Sequence, residues 1–146
     1  MRYLDTSFLA PLLKREATSD DVEMLVAGQP AGTLAISTWA RVELASAVAC
    51  QVRMGQATAD NSFKGLAAFD RALRKRFHIW IPDANDFDDA RANIIQFETG
   101  LRPGDALHLA IAKNHRAELL TLDRSLLEAA KMLGIPASSG IRLAPR

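Results

Sequence analysis

Cysteine is nearly absent from this chain. The lone Cys50 can close no internal disulfide and cannot build a thiolate zinc site, so any bound metal must sit on oxygen or histidine. No run of about 18 uninterrupted apolar residues occurs, and the N-terminus lacks the basic, apolar and small-residue succession of a secretory signal. A cytoplasmic protein with no membrane association is the expectation. Excess charge is missing as well, since 18 Lys and Arg against 17 Asp and Glu leave a net charge of +1. That balance excludes a global field that recruits phosphate, so a nucleic-acid partner has to be met locally. Aromatic residues make up 6% of the chain, too few for a base-stacking platform. There is no repeat period, low-complexity tract or linker, and Gly and Pro fall singly between patterned segments. What the chain does have is 49% apolar residues over a length of 146, enough for one domain spanning 1–146 with a core that needs no staples.

Short apolar runs that read as strands are Arg2 to Leu4, Leu34 to Ile36, Ile79 to Ile81 and Leu119 to Leu122, each followed by a helix-start signal. Helical patterns cover Thr6 to Lys14, Ser19 to Ala27, Thr38 to Met54, Asn61 to Phe77, Asn85 to Phe97, Pro103 to His115 and Ser125 to Leu133, with Gly134 as a C-cap. Strands alternating with helices predict a three-layer α/β/α sandwich around a mainly parallel sheet, because parallel strands need crossover connections. Ligands of such sheets bind outside the carboxyl ends of the strands, near a topological switch point.

Four acids fall at places of that kind. Asp5 ends the first strand and suits a helix N-cap. Asp123 ends the run Leu119-Leu120-Thr121-Leu122, although Ser125 with Glu128 offers a capping box that can start the following helix instead. If those two strands are neighbours, the two carboxylates meet. Glu43 shares a helical stripe with Trp39, Ala47, Cys50 and Met54, so it faces apolar company and needs a cation, either a metal or an arginine such as Arg41 or Arg102. Asp105 follows Pro103, which suits a first helical position, and has Leu109 and Ala112 along its own stripe. Clustered carboxylates raise one another's pKa unless a cation neutralises them. Mg²⁺ or Mn²⁺ is the natural partner of an all-oxygen set, and such an ion can activate water and stabilise the leaving oxygen of a phosphodiester.

The residues around these acids form four ordered motifs: Tyr3-Leu4-Asp5-Thr6-Ser7, Ser37-Thr38-Trp39-Ala40-Arg41-Val42-Glu43-Leu44, Arg102-Pro103-Gly104-Asp105-Ala106-Leu107-His108-Leu109-Ala110, and Leu119-Leu120-Thr121-Leu122-Asp123. In them the chain resembles PIN-domain proteins, and among these the VapC-like toxins of bacterial toxin–antitoxin pairs. The third motif is the most specific. The resemblance implies that Asp5, Glu43, Asp105 and Asp123 are the metal-binding and catalytic acids. It also implies a Mg²⁺- or Mn²⁺-dependent endoribonuclease, a homodimer, and neutralisation by a cognate antitoxin that inserts a C-terminal segment. Thr6, Ser7 and Thr121 stay outside the predicted site as helix-capping hydroxyls, and His78, His108 and His115 as core, surface or cap residues. One departure is Arg124-Ser125-Leu126-Leu127 after Asp123, where the family commonly has an aromatic.

On the helix at 61–77, Phe63, Leu66, Leu73 and Phe77 form a stripe predicted to pack, while Lys64, Arg71 and Lys75 form a basic stripe that is ordinarily a solvated face. Asp83, Asp86, Asp88 and Asp89 read as helix-start charges, with Ala90, Ile94 and Phe97 as the buried face behind them. A phosphoaspartate phosphatase using Asp5 is a competing chemistry, but Ser7 stands where its second Asp belongs. A catalytically silent PIN-like module that binds RNA or protein is the non-enzymatic alternative.

Overall fold

A computed structural model describes residues 1–144. In chain order the elements are β1 (Arg2–Leu4), α1 (Thr6–Leu13), α2 (Ser19–Gly28), β2 (Leu34–Ser37), α3 (Thr38–Arg53), α4 (Ala59–Arg76), β3 (His78–Trp80), α5 (Ala84–Ile94), α6 (Pro103–Asn114), β4 (Glu118–Leu120), α7 (Arg124–Met132) and β5 (Ala137–Ser138), with a 3₁₀ turn at Phe97–Thr99. The strands pair in the order β3-β2-β1-β4-β5, and every pairing is parallel. None of the described helices is long and apolar enough to cross a membrane.

Successive strand residues point to opposite faces, and that alternation divides the core in two. Tyr3 and its register partner Leu119 pack under α5, α6 and α7. Leu4 and its partner Leu120 pack under α1, α2, α3 and α4. Both faces of the sheet are therefore covered, as a parallel sheet requires, and the predicted three-layer sandwich is the observed fold.

Several local expectations need correction. The fourth strand stops at Leu120: Thr121 N–H still reaches the Ser138 carbonyl at 3.1 Å, but Leu122 N–H turns to Ser7 Oγ, so Asp123 lies beyond the ladder. Asp123 itself caps α7, accepting from Ser125 and Leu126 N–H, and the Ser125 box is not used. The α4 helix starts at Ala59 because Thr58 supplies its N-cap. Phe63 is 76% exposed and Phe97 85% exposed, so neither belongs to the packed stripe expected of it, whereas Leu73, Phe77 and Ala90 are buried. The short strand β5 was not foreseen. Gly134 does end α7, with a φ of +66° that favours glycine.

Two members of the second acidic group, Asp83 and Asp86, are structural. Asp83 and Asp86 form a capping box at the start of α5, and Asp86 is only 2% exposed because its Oδ1 also accepts from Asn114 Nδ2 of α6 at 2.9 Å. Replacing it with Ala removes the acceptor of two hydrogen bonds, from Asp83 N–H and Asn114 Nδ2. We expect Asp86→Ala to lower folding stability by about 2–3 kcal/mol, read as a shift in the urea midpoint at unchanged slope.

Candidate metal centre

Beyond β1 the chain builds the sheet outward through β2 to β3, then crosses back to lay β4 on the other side of β1. The reversal leaves a switch point at the carboxyl ends of β1 and β4, where the crossovers diverge. Asp5 leaves β1 there, and Asp123 lies just past β4. Glu43 comes from α3, which follows β2, and Asp105 from the first turn of α6. The fold thus delivers all four predicted acids to one edge of the sheet.

Ser7 joins the two strand ends. Its hydroxyl donates to Asp5 Oδ1 at 2.8 Å, accepts from Leu122 N–H at 2.9 Å and lies 3.1 Å from Thr121 Oγ1. Thr121 Oγ1 in turn accepts from Asp123 N–H at 3.0 Å. Asp5 Oδ1 also caps α1 by accepting from Phe8 N–H, and Asp123 Oδ1 caps α7. Each acid therefore spends one oxygen on the fold. Among the described residues, Asp5 Oδ2 keeps only the longer 3.1 Å contact from Ser7, and no hydrogen bond engages Asp123 Oδ2.

Glu43 is held differently. Its Oε2 accepts from Thr6 Oγ1 and, at 2.7 Å, from Nε2 of the buried His108. On the far side of the imidazole, Nδ1 lies 2.7 Å from the Tyr3 hydroxyl, which lies 2.7 Å from Ser37 Oγ. Burial pushes the Tyr3 phenol far above its usual range, so it stays neutral within this chain. The arginines offered as partners for Glu43 do not pair with it: Arg41 is bonded to Asp70, Nε to Oδ1, at 2.7 Å, and Arg102 is an exposed N-cap. The apolar stripe inferred for Glu43 is not what buries it either, because Ala47, Cys50 and Met54 are exposed. Close packing against α6 does: a Cβ on Gly104 would sit 2.5 Å from Glu43 Oε1, so any larger residue there requires the Glu43 carboxylate to move.

Electrostatically the edge is under-compensated. Burial raises the Asp5 carboxyl, against the lowering effects of His108, Thr121, Phe8 N–H and Ser7. Burial also raises Asp105, with the charges of Asp123 and Glu43 adding to it. Glu43 goes the other way: burial would raise it, but His108, Thr6 and the nearby Trp39 indole dipole hold it below the usual range. That indole N–H is itself buried without closing a hydrogen bond. Among the described residues, no Lys or Arg forms an ion pair with any of the four acids.

A hard divalent cation fits this donor set, which is all carboxylate oxygen and lacks its own counter-charge. Among the described residues no three His, Cys, Asp or Glu side chains already surround one point. An ion bound here would keep several of its waters and take only one or two of these carboxylates directly. Thr6, Ser7, Thr121 and His108 belong to the site although the sequence reading left them out. The available signal for His108 was its place one turn after Asp105, on the same side of α6.

A family model described as PIN domain matches residues 2–132. No curated protein matches the sequence. Among solved structures, the chain is similar to VapC20 of Mycobacterium tuberculosis, described as a sarcin-ricin-loop-cleaving toxin, at 17% identity and a TM-score of 0.70, covering 88% of this chain and 95% of that one. It is similar to a toxin–antitoxin complex from Klebsiella pneumoniae at 21% identity and a TM-score of 0.66, covering 98% and 100%. A third is VapBC2 of Rickettsia felis bound to promoter DNA, at 18% identity and a TM-score of 0.66, covering 94% and 98%. At these identities the structural likeness speaks for the fold.

The raised carboxyls set the sign of a stability experiment. An acid whose folded pKa lies above its unfolded value makes the fold gain stability as pH falls through the folded value toward about 4. For metal-free protein we expect that gain from Asp5 and Asp105. Asp105→Asn should raise the melting temperature at neutral pH, by about 2–4 °C for each kcal/mol of repulsion relieved, and should flatten the pH dependence. A calorimetric or circular-dichroism melt across pH checks both.

Proposed function

We propose, since the chain belongs to the PIN-domain family, that it is a Mg²⁺- or Mn²⁺-dependent endoribonuclease and the toxin of a toxin–antitoxin pair. The carrying observation is the set of four carboxylates on the carboxyl edge of the sheet with no Lys or Arg paired to any of them among the described residues. Asp5, Glu43, Asp105 and Asp123 would hold the ion. When bound, the ion supplies Lewis-acid stabilisation of the phosphoryl charge and a nucleophilic water at neutral pH.

The chain's own residues supply the rest. Ser7 and Thr121 keep Asp5 and Asp123 on adjacent strand ends, and His108 and Thr6 hold Glu43 by one oxygen. Arg102, three residues before Asp105, is exposed and without an ion pair among the described residues, and would be free to meet an RNA phosphate. None of the three histidines is needed as a base.

The partner reading has structural support of its own. Between α1, α3 and α4 lies an open groove of about 430 Å³, lined by Leu13, Leu44, Ala47, Val48 and Leu66 among others. Such a surface suits the apolar face of an antitoxin segment. A homodimer in the cytoplasm completes the proposal.

Chain purified free of any partner should cleave structured RNA with Mg²⁺ or Mn²⁺ and stop in EDTA. Asp5→Asn and Asp105→Asn should each reduce cleavage by about 100-fold or more while remaining folded. Retained cleavage in both variants overturns the assignment, and RNA binding without cleavage by the wild type favours the silent-module alternative. Gly104→Ala is a finer probe. The added methyl meets the far end of a flexible side chain, so the melting temperature should hold, while Glu43 is displaced and cleavage falls about 10-fold or more.

A further inference from the structure

Behind the His108 contact that holds Glu43 runs a buried chain of polar groups whose inner members, Tyr3 and Ser37, the proposed chemistry leaves without a task. Tyr3, Ser37 and His108 are 0%, 0% and 2% exposed, and they connect a strand, a helix start and the middle of a second helix. The links are Ser37 Oγ to Tyr3 hydroxyl, Tyr3 hydroxyl to His108 Nδ1, and His108 Nε2 to Glu43 Oε2, each 2.7 Å. Ser37 Oγ is itself anchored by accepting from Ala40 N–H at 3.1 Å. Burying three polar side chains is costly unless every one is satisfied, so a fully connected set of this kind specifies one geometry.

Only the last member, Glu43, reaches the acid edge. Its carboxyl hangs on three rotatable bonds, and the position of a free glutamate would have to be fixed anew each time an ion binds. His108 and Thr6 both take Oε2, which leaves Oε1 as the oxygen without a hydrogen bond among the described residues. The Tyr3 ring, stacked on Trp80 with centroids 5.6 Å apart, keeps the base of the relay rigid.

We propose that His108 is a positioning residue for metal uptake. Backed by Tyr3 and Ser37, its Nε2–H pre-orders Glu43 so that one carboxylate oxygen is presented to the divalent ion. This rests on the ribonuclease reading above and assigns His108 a part in it that the four-acid set does not contain.

Two amide substitutions separate the two ends of the imidazole. Asparagine places its amide where Nδ1 sits, toward Tyr3, and cannot reach Glu43; glutamine places its amide where Nε2 sits and can still donate to the carboxylate. With Mn²⁺ alone as probe, uptake is measured by calorimetry or by the free-ion EPR signal on folded, RNA-free protein. His108→Asn should weaken Mn²⁺ binding about 10- to 100-fold, His108→Gln should stay within about threefold of wild type, and in a Glu43→Ala background His108→Asn should change nothing further. A purely structural role predicts instead that both amides behave alike, or that the loss persists without Glu43, and either result overturns the proposal. If His108→Asn does not fold, Tyr3→Phe keeps the stacked ring and removes the support. Mn²⁺ binding by Tyr3→Phe indistinguishable from wild type then overturns the relay. Wild-type protein that takes up no Mn²⁺ overturns the underlying ribonuclease reading, whereas wild-type uptake unaffected by His108→Asn overturns the positioning role alone.

Discussion

The pairing of β1 with β4 is the seam on which the molecule depends. It is the one joint between the β3-β2-β1 half of the sheet and the β4-β5 half, and it consists of three register pairs, Arg2 with Glu118, Tyr3 with Leu119 and Leu4 with Leu120. At the amino end the seam is closed by the Arg2–Glu118 ion pair. At the carboxyl end it is closed by Asp5 N–H on the Leu120 carbonyl and by the Ser7 hydroxyl on Leu122 N–H. Slipping it by one residue would exchange Tyr3 for Leu4 between the two cores and carry Asp5 away from Asp123. The same few bonds therefore set the core division and the juxtaposition of the acids.

Placing charge at that seam works against the fold. Asp5 and Asp105 are held where burial favours their neutral forms, so the ionised edge is a local cost carried by the well-packed layers around it. Glu43 is the exception that keeps its charge easily, because His108, Thr6 and the Trp39 dipole surround it. Two kinds of carboxylate thus share one edge: Asp5 and Asp105, which burial raises, and Glu43, which its hydrogen-bonding neighbours lower. Asp86 shows the contrast, since its buried carboxylate is fully occupied by Asp83 N–H and Asn114 and faces nothing open.

Much of this was legible in the residues. The alternation of apolar runs with helix-start signals gave the βα order, and the places of Asp5, Asp105 and Asp123 at helix starts were readable from capping chemistry. The four motifs carried the family. What escaped depended on contacts distant in sequence. Glu43 looked buried by its own helix stripe but is enclosed by Thr6, Gly104 and His108, which sequence spacing on α3 cannot reveal. Ser7 and Thr121 passed as caps because their bridging role exists only once β1 and β4 lie side by side. Phe63 and Phe97 followed helical period yet remain exposed, since periodicity marks a face without saying that anything covers it. The two-residue β5 is too short to carry a pattern.

The central position of β1 also has a consequence in time. Its residues are among the earliest of this sequence to leave the ribosome, yet one of its two neighbours, β4, begins only at Glu118. Until then Asp5 has no Leu120 carbonyl to receive its N–H, and Ser7 has no Leu122 to bind. A seam between segments so far apart closes late, because loop-closure entropy must be met before long-range strand pairing is rewarded. Asp5, Glu43 and Asp105 are all synthesised before the strand that completes their site. The carboxylate edge can therefore assemble only once β4 has emerged, well after β1, α3 and the start of α6.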